Sequence, residues 1–254
     1  MSHHLVELSN LSYAYPDGTQ ALSAVSFRIT HGESVALVGA NGAGKSTLLM
    51  HVNGVLLPQT GAVRVGETPV TRATLPEIRR SVGMVFQDAD DQLFMPTVFE
   101  DVAFGPLNLG LPADEVKRRV TDALARVGAA GLEKRPPHHL SGGEKRNVAI
   151  ATVLAMRPDV LVMDEPSASL DPLARRRLIE LLRSFEHTKI IATHDLDLVL
   201  DVCRRTIVMH NGTITADGPT NQVFQDEALL RRSHLEKPLR MQACPVCQRV
   251  EARS

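Results

Sequence analysis

Apolar residues along the chain follow two rhythms. Short continuous runs recur: Val35-Ala36-Leu37-Val38, Ser81 to Phe86, Val160-Leu161-Val162-Met163, Lys189 to Thr193, and Arg205 to Met209. Each is too short for a helix and ends in turn or capping residues. Such runs predict strands buried on both faces, as in a parallel sheet. Between them the spacing becomes helical. Ala174, Leu178, Leu181, Leu182 and Phe185 follow Asp171-Pro172, an N-cap with proline at the first helical position. Asp195 is placed to cap a helix carrying Leu196, Val199 and Leu200. Pro112-Ala113-Asp114 opens another, with Val116, Val120, Leu124 and Val127 on one face and Lys117, Arg118 and Arg119 read as its solvated face. From about Asp88 to Ala155 the strand–helix alternation lapses into a mainly helical stretch, which reads as an insertion.

Composition narrows the class. The 254 residues carry 28 Lys plus Arg and 29 Asp plus Glu, a net charge of −1, and are 43% hydrophobic. That is ordinary for a globular chain with a sizeable core, and it argues against a bulk nucleic-acid binder. No run approaches the roughly 18 apolar residues that cross a bilayer. The start, Met1 to Glu7, has neither a basic nor an apolar segment of secretory type. Three cysteines do not make a disulfide framework, so a reducing cytosol is expected. From Arg231 to Ser254 there are six basic residues against two acidic ones. Periodicity fades from about Lys237, so a solvated basic tail is expected. Cys244-Pro245-Val246-Cys247 lies within it and lacks the second pair that a four-ligand zinc site needs.

The chemistry begins where the first buried run ends. Gly39-Ala40-Asn41-Gly42-Ala43-Gly44-Lys45-Ser46 matches the G-x-x-x-x-G-K-[ST] phosphate loop, with Thr47, Leu48, Leu49 and Val52 continuing as a helix. Glycines let backbone N–H groups curl around phosphate, and the helix N-terminus adds positive potential. Lys45 offers a mobile charge to the β- and γ-phosphates, and Ser46 a hydroxyl to Mg²⁺. A carboxylate must organise that metal. Asp164 ends the run Val160–Met163, and Glu165 follows where a base for the attacking water would sit.

Leu140-Ser141-Gly142-Gly143-Glu144 resembles the LSGGQ signature of ATP-binding cassette (ABC) ATPases, with Glu at the fifth position. Gln87 is similar to the Q-loop glutamine, Ser169-Leu170-Asp171 to the D-loop, His194 to the switch histidine, and Tyr15 to the aromatic that stacks on adenine. The resemblance covers about residues 5 to 235. It implies an α/β P-loop NTPase of the ABC-ATPase fold: a RecA-like core with a parallel sheet, a small N-terminal antiparallel β part and an inserted helical subdomain at about 88–155. Residues 1–237 would be the nucleotide-binding domain and 238–254 a tail. It assigns catalysis to Glu165, His194, Lys45 and Gln87. ATP contacts fall to Tyr15, Gly39, Asn41, Gly42, Ala43, Gly44, Lys45, Ser46, Thr47 and Gln87, with Mg²⁺ at Ser46, Gln87 and Asp164. Ser141, Gly142, Gly143, Glu144 and Asp171 would meet the ATP of a second copy, because one chain has one P-loop and one signature.

Asp90-Asp91-Gln92-Leu93-Phe94, Tyr13 to Gly18, and Val102 to Pro106 resemble energy-coupling-factor transporters, and Leu140 to Arg146 their cobalt and nickel branch. That implies a homodimer on the cytoplasmic face of the membrane, docked on a transmembrane scaffold protein beside a membrane substrate-binding component, with no nucleic acid. The other readings are the cassette of a different transporter and a non-transport ABC ATPase acting on DNA or ribosomes.

Overall fold

The computed structural model describes residues 6–242. The Cys244/Cys247 pair and most of the basic tail lie outside the described residues. The chain opens with β1 (Val6–Ala14) and β2 (Gln20–Ile29), then β3 (Ser34–Val38) and α1 (Lys45–Val52). Next come β4 (Thr60–Val65), β5 (Thr68–Pro69), α2 (Leu75–Ser81) and β6 (Val82–Val85). The helical stretch holds α3 (Val98–Asn108), α4 (Ala113–Arg126) and α5 (Gly142–Met156). Alternation resumes with β7 (Val160–Asp164), α6 (Pro172–Ser184), β8 (Thr188–Ala192), α7 (Leu196–Val202) and β9 (Arg205–His210). The described chain closes with β10 (Thr213–Pro219), α8 (Thr220–Gln225) and α9 (Glu227–Arg232).

Two sheets result. The larger runs β10-β9-β3-β8-β7-β6, parallel except for the edge strand β10. The smaller, β2-β1-β4-β5, is antiparallel. The apolar runs are continuous because both faces of the larger sheet are covered. Ala36, Val38, Leu161, Met163 and Ile191 face a core shared with α3 to α7. Val35, Leu37, Val160, Val162 and Ile190 face a second core shared with α1 and the smaller sheet. Burying one such Leu or Ile is worth about 1.5–3 kcal/mol, so burial on both faces stabilises these strands in the sheet.

Both predicted acidic caps form: Asp171 accepts from the Ala174 N–H, and Asp195 from the Leu198 N–H. The strand predicted over Ser81–Phe86 is shorter, because Ser81 closes α2. One expectation fails. Arg119 is not on the solvated face of α4. It is largely covered, pairs with Glu115 at 2.7 Å, and donates to the Ala155 and Met156 carbonyls at the end of α5. Those last carbonyls have no partner within their own helix, and a guanidinium can satisfy them. The basic segment also begins with a docked turn. Arg240, within a one-turn helix at Leu239–Met241, bonds to Asp197 and Asp201 of α7.

Candidate nucleotide site

Parallel strands deliver their C-terminal ends to one edge of the sheet, and the predicted site residues collect there. The loop from β3 into α1 is tight. A Cβ at Gly39 would stand 2.3 Å from the Met209 carbonyl oxygen on β9. Gly44 has φ +99° and lies against the Ala21 carbonyl, where a Cβ would come within 2.6 Å. Neither position admits another residue without movement. Lys45 is buried, and its Nζ donates to the carbonyls of Gly39 (2.8 Å) and Ala40 (3.1 Å). Burial holds its pKa below the usual lysine range, against the pull of Glu165 and Asp164. Neutral carbonyls are poor partners for a desolvated ammonium, so an arriving phosphate offers a better one.

A cavity of about 420 Å³ opens over this loop, lined by Tyr15, Asn41 to Thr47, Gln87, Asp164 and Glu165. Tyr15 sits on its wall with its hydroxyl 2.9 Å from the Thr47 Oγ1, and Tyr13 meets its ring edge-on at 5.2 Å. Gln87 is solvent-exposed at the cavity rim.

Asp164 ends β7 and is 3% exposed. Burial raises its pKa above the ordinary carboxylate value; Glu165 adds to the rise, while Ser46, Lys45 and Arg146 oppose it. Its Oδ1 has no hydrogen-bond partner among the described residues. A buried, orphaned carboxylate oxygen beside the Ser46 hydroxyl, facing a phosphate loop, suits a hard divalent cation with oxygen ligands. The donor set therefore fits Mg²⁺.

Glu165 takes up φ +47° just past the strand, which turns its side chain toward β8. One oxygen, Oε2, accepts from the Thr193 Oγ1 (3.0 Å) and the His194 N–H (3.3 Å), and the His194 Nδ1 lies 2.9 Å from it. The registry of β7 with β8, Asp164 opposite Ala192, sets this meeting. The structure thus joins the two residues predicted to work on the γ-phosphate and the water.

The signature lies at the start of α5. Ser141 is the N-cap and Glu144 closes a reciprocal capping box with it. Gly142, Leu140, Ala168 and Ser169 line a second cavity of about 670 Å³, which shares Ser46, Gln87 and Asp164 with the first. Asp171 lines neither cavity. It is exposed, with its carboxylate spent on capping α6.

Arg146 is the residue that motif reading missed. It is 5% exposed and donates to the carbonyls of Phe86 (2.7 Å) and Gln87. It thereby fastens the signature helix to the backbone carrying Gln87. Burial lowers its pKa, against Asp88, Asp164 and Glu165. Gln92 supports the same junction, accepting from the Phe86 N–H and donating to the Ala149 carbonyl and the Thr152 Oγ1. The sequence signal was an arginine inside the Leu140–Arg146 motif, but bonds to main-chain carbonyls have no sequence pattern.

The model of the ABC transporter family matches residues 22–168. A putative ABC transporter ATP-binding protein of Geobacter sulfurreducens is 66% identical over 98% of this chain and 100% of its own length. The energy-coupling factor transporter ATP-binding protein EcfA of Methanocaldococcus jannaschii is 49% identical, over 92% of this chain and 86% of that protein. Among solved structures, cbiO1 of Clostridium perfringens, described as part of the ABC transporter complex cbiONQ, superposes with TM-score 0.79 at 39% identity. It covers 98% of this chain and 99% of that one. With a phosphate loop, the Asp164–Glu165 strand end and a signature sequence at a helix N-terminus set in this fold, the chain belongs to the ABC transporter ATPase family, in its energy-coupling-factor type.

Proposed function

We propose that two copies of this chain close head to tail around two ATP molecules and drive a membrane importer, with cobalt or nickel as cargo. The observation that carries the dimer is the one-to-one complement of parts: one chain offers one phosphate loop with its own metal side and one signature helix N-terminus, where Ser141 and Gly142 are exposed. A second copy supplies what each site lacks. Lys45 and the loop N–H groups hold the β- and γ-phosphates, Tyr15 packs on the base, and Ser141 to Gly143 of the partner meet the γ-phosphate. Asp171 would face the partner through the loop it closes. Glu165 orients and deprotonates the attacking water, and His194, already on its carboxylate, contacts the γ-phosphate. Ser46, Asp164 and Gln87 would hold Mg²⁺, whose charge neutralises the phosphates.

Docking on a membrane partner is supported by an apolar patch on the helical stretch. Phe94 is 63% exposed, Leu107 57% and Phe104 40%, and the two Phe rings meet edge-on at 5.1 Å. The patch follows the Gln87 loop directly in the chain. It suits apolar helices of a transmembrane scaffold protein that holds the ATPase at the cytoplasmic face, beside a substrate-binding membrane component. No helix among the described residues is long and apolar enough to cross a membrane. The metal-import reading rests on Asp90 to Phe94 and on the Leu140–Arg146 motif. Among the described residues no cluster of three or more His, Cys, Asp or Glu could hold a metal; in this reading the membrane component selects the cargo.

Two experiments test this. Glu165→Gln should bind ATP and dimerise while losing nearly all turnover; an unimpaired rate would overturn the mechanism. Deleting the gene should lower cellular uptake of radioactive cobalt or nickel, and unchanged uptake of both would overturn the cargo.

A further inference from the structure

In the isolated chain the signature serine is already engaged. The Glu144 Oε2 accepts from the Ser141 N–H (2.8 Å) and from the Ser141 hydroxyl (2.8 Å), and the same hydroxyl accepts from the Glu144 N–H (3.3 Å). A hydroxyl has one proton, so Ser141 cannot donate to Glu144 and to a phosphate together. Ser141 also holds the carboxylate below the ordinary Glu pKa, so it is ionised at neutral pH. Its charge lies at the N-terminus of the 15-residue α5, the end whose dipole favours anions. There it cancels part of the potential a phosphate would use.

We infer that Glu144 brakes closure of the ATP-bound dimer: it keeps the Ser141 proton and sets a negative charge against the γ-phosphate arriving from the partner. The inference rests on the head-to-tail reading above. Closure then requires Ser141 to exchange a carboxylate for a phosphate, and repulsion rises as it does so. Arg135 moderates the brake. Its guanidinium stands 3.8 Å from the other Glu144 oxygen, both side chains being partly exposed. Glutamine at 144 could keep the cap, since its carbonyl accepts as the carboxylate does, and would remove only the charge.

The test separates charge from capping. In the Glu165→Gln background, dimerisation is followed by analytical ultracentrifugation against ATP concentration with Mg²⁺. Adding Glu144→Gln should lower the ATP midpoint by roughly tenfold, about 1.4 kcal/mol, with an unchanged melting temperature. The difference should shrink from 0.05 to 0.5 M salt, because exposed charges are screened. Arg135→Ala should raise the midpoint when Glu144 is present and leave it unmoved when Gln replaces it. Dimers with equal midpoints, or a higher midpoint for Glu144→Gln, overturn the brake alone. No ATP-dependent dimer from Glu165→Gln itself overturns the head-to-tail reading and the brake with it.

Discussion

Asp164 illustrates at the residue scale how a site trades stability for function. Its folded pKa is raised, so the native state pays for keeping it charged, and stability is lost as pH rises through that pKa. Asp164→Asn should therefore melt a few degrees higher than the parent at pH 7 without nucleotide or magnesium, and hydrolyse no ATP. The advantage should vanish below the unfolded Asp pKa, where both proteins carry a neutral group. An equal or lower melting point at pH 7 would contradict the account. Gly39 works in the opposite direction. Gly39→Ala drives a methyl into the Met209 carbonyl, so it should cost about 1–3 kcal/mol in chemical denaturation and abolish ATP binding. The P-loop motif announces Gly39. Arg119 and Arg146 were not legible in this way: a surface arginine and one that feeds buried carbonyls look alike until the helix ends are placed.

Elements account for the rest of the site's rigidity. α5 presents the signature at its first turn, and Arg146, one turn on, grips the segment after β6. Arg146→Met should strand two carbonyls and destabilise the protein by about 1–3 kcal/mol, with faster hydrogen exchange at Phe86 to Asp88 than at β3. Arg146→Lys should recover little, because one ammonium cannot reproduce the planar fork. Undiminished protection in Arg146→Met would show that the junction is held otherwise. Strand elements were readable because burial on both faces makes the runs continuous. The ends of Ser81–Phe86 were not, since Ser81 fits a helix end and a strand start equally well.

For the whole molecule, the larger sheet brings four segments to one edge: the phosphate loop after β3, Asp164 and Glu165 after β7, His194 after β8 and Gln87 after β6. The apolar patch of Phe94, Phe104 and Leu107 is carried separately by the helical stretch. Replacing Phe94 and Phe104 with serine should leave the melting temperature and ATP binding near the parent's while losing copurification with membrane proteins. Retained copurification would place the membrane contact elsewhere. A larger cavity of about 1070 Å³ at the opposite end of the sheet is lined by Lys189 and Cys203. There burial lowers the lysine pKa and pushes the thiol up to about 12. Lys189 donates to the Phe185 carbonyl at the end of α6, so its place is structural.

The pairing of Asp164 with Ala192 bears on how this protein can change over time. An inserted or deleted residue in β7 or β8 would displace Glu165 from Thr193 and His194 by about 3.3 Å and turn its neighbours to the opposite face. Substitutions can be absorbed along these strands, but indels cannot. Length differences among descendants of this gene should therefore gather in segments such as Leu109–Pro112 and Gly128–Pro136, leaving the spacing from Val160 to Glu165 and from Thr188 to His194 untouched.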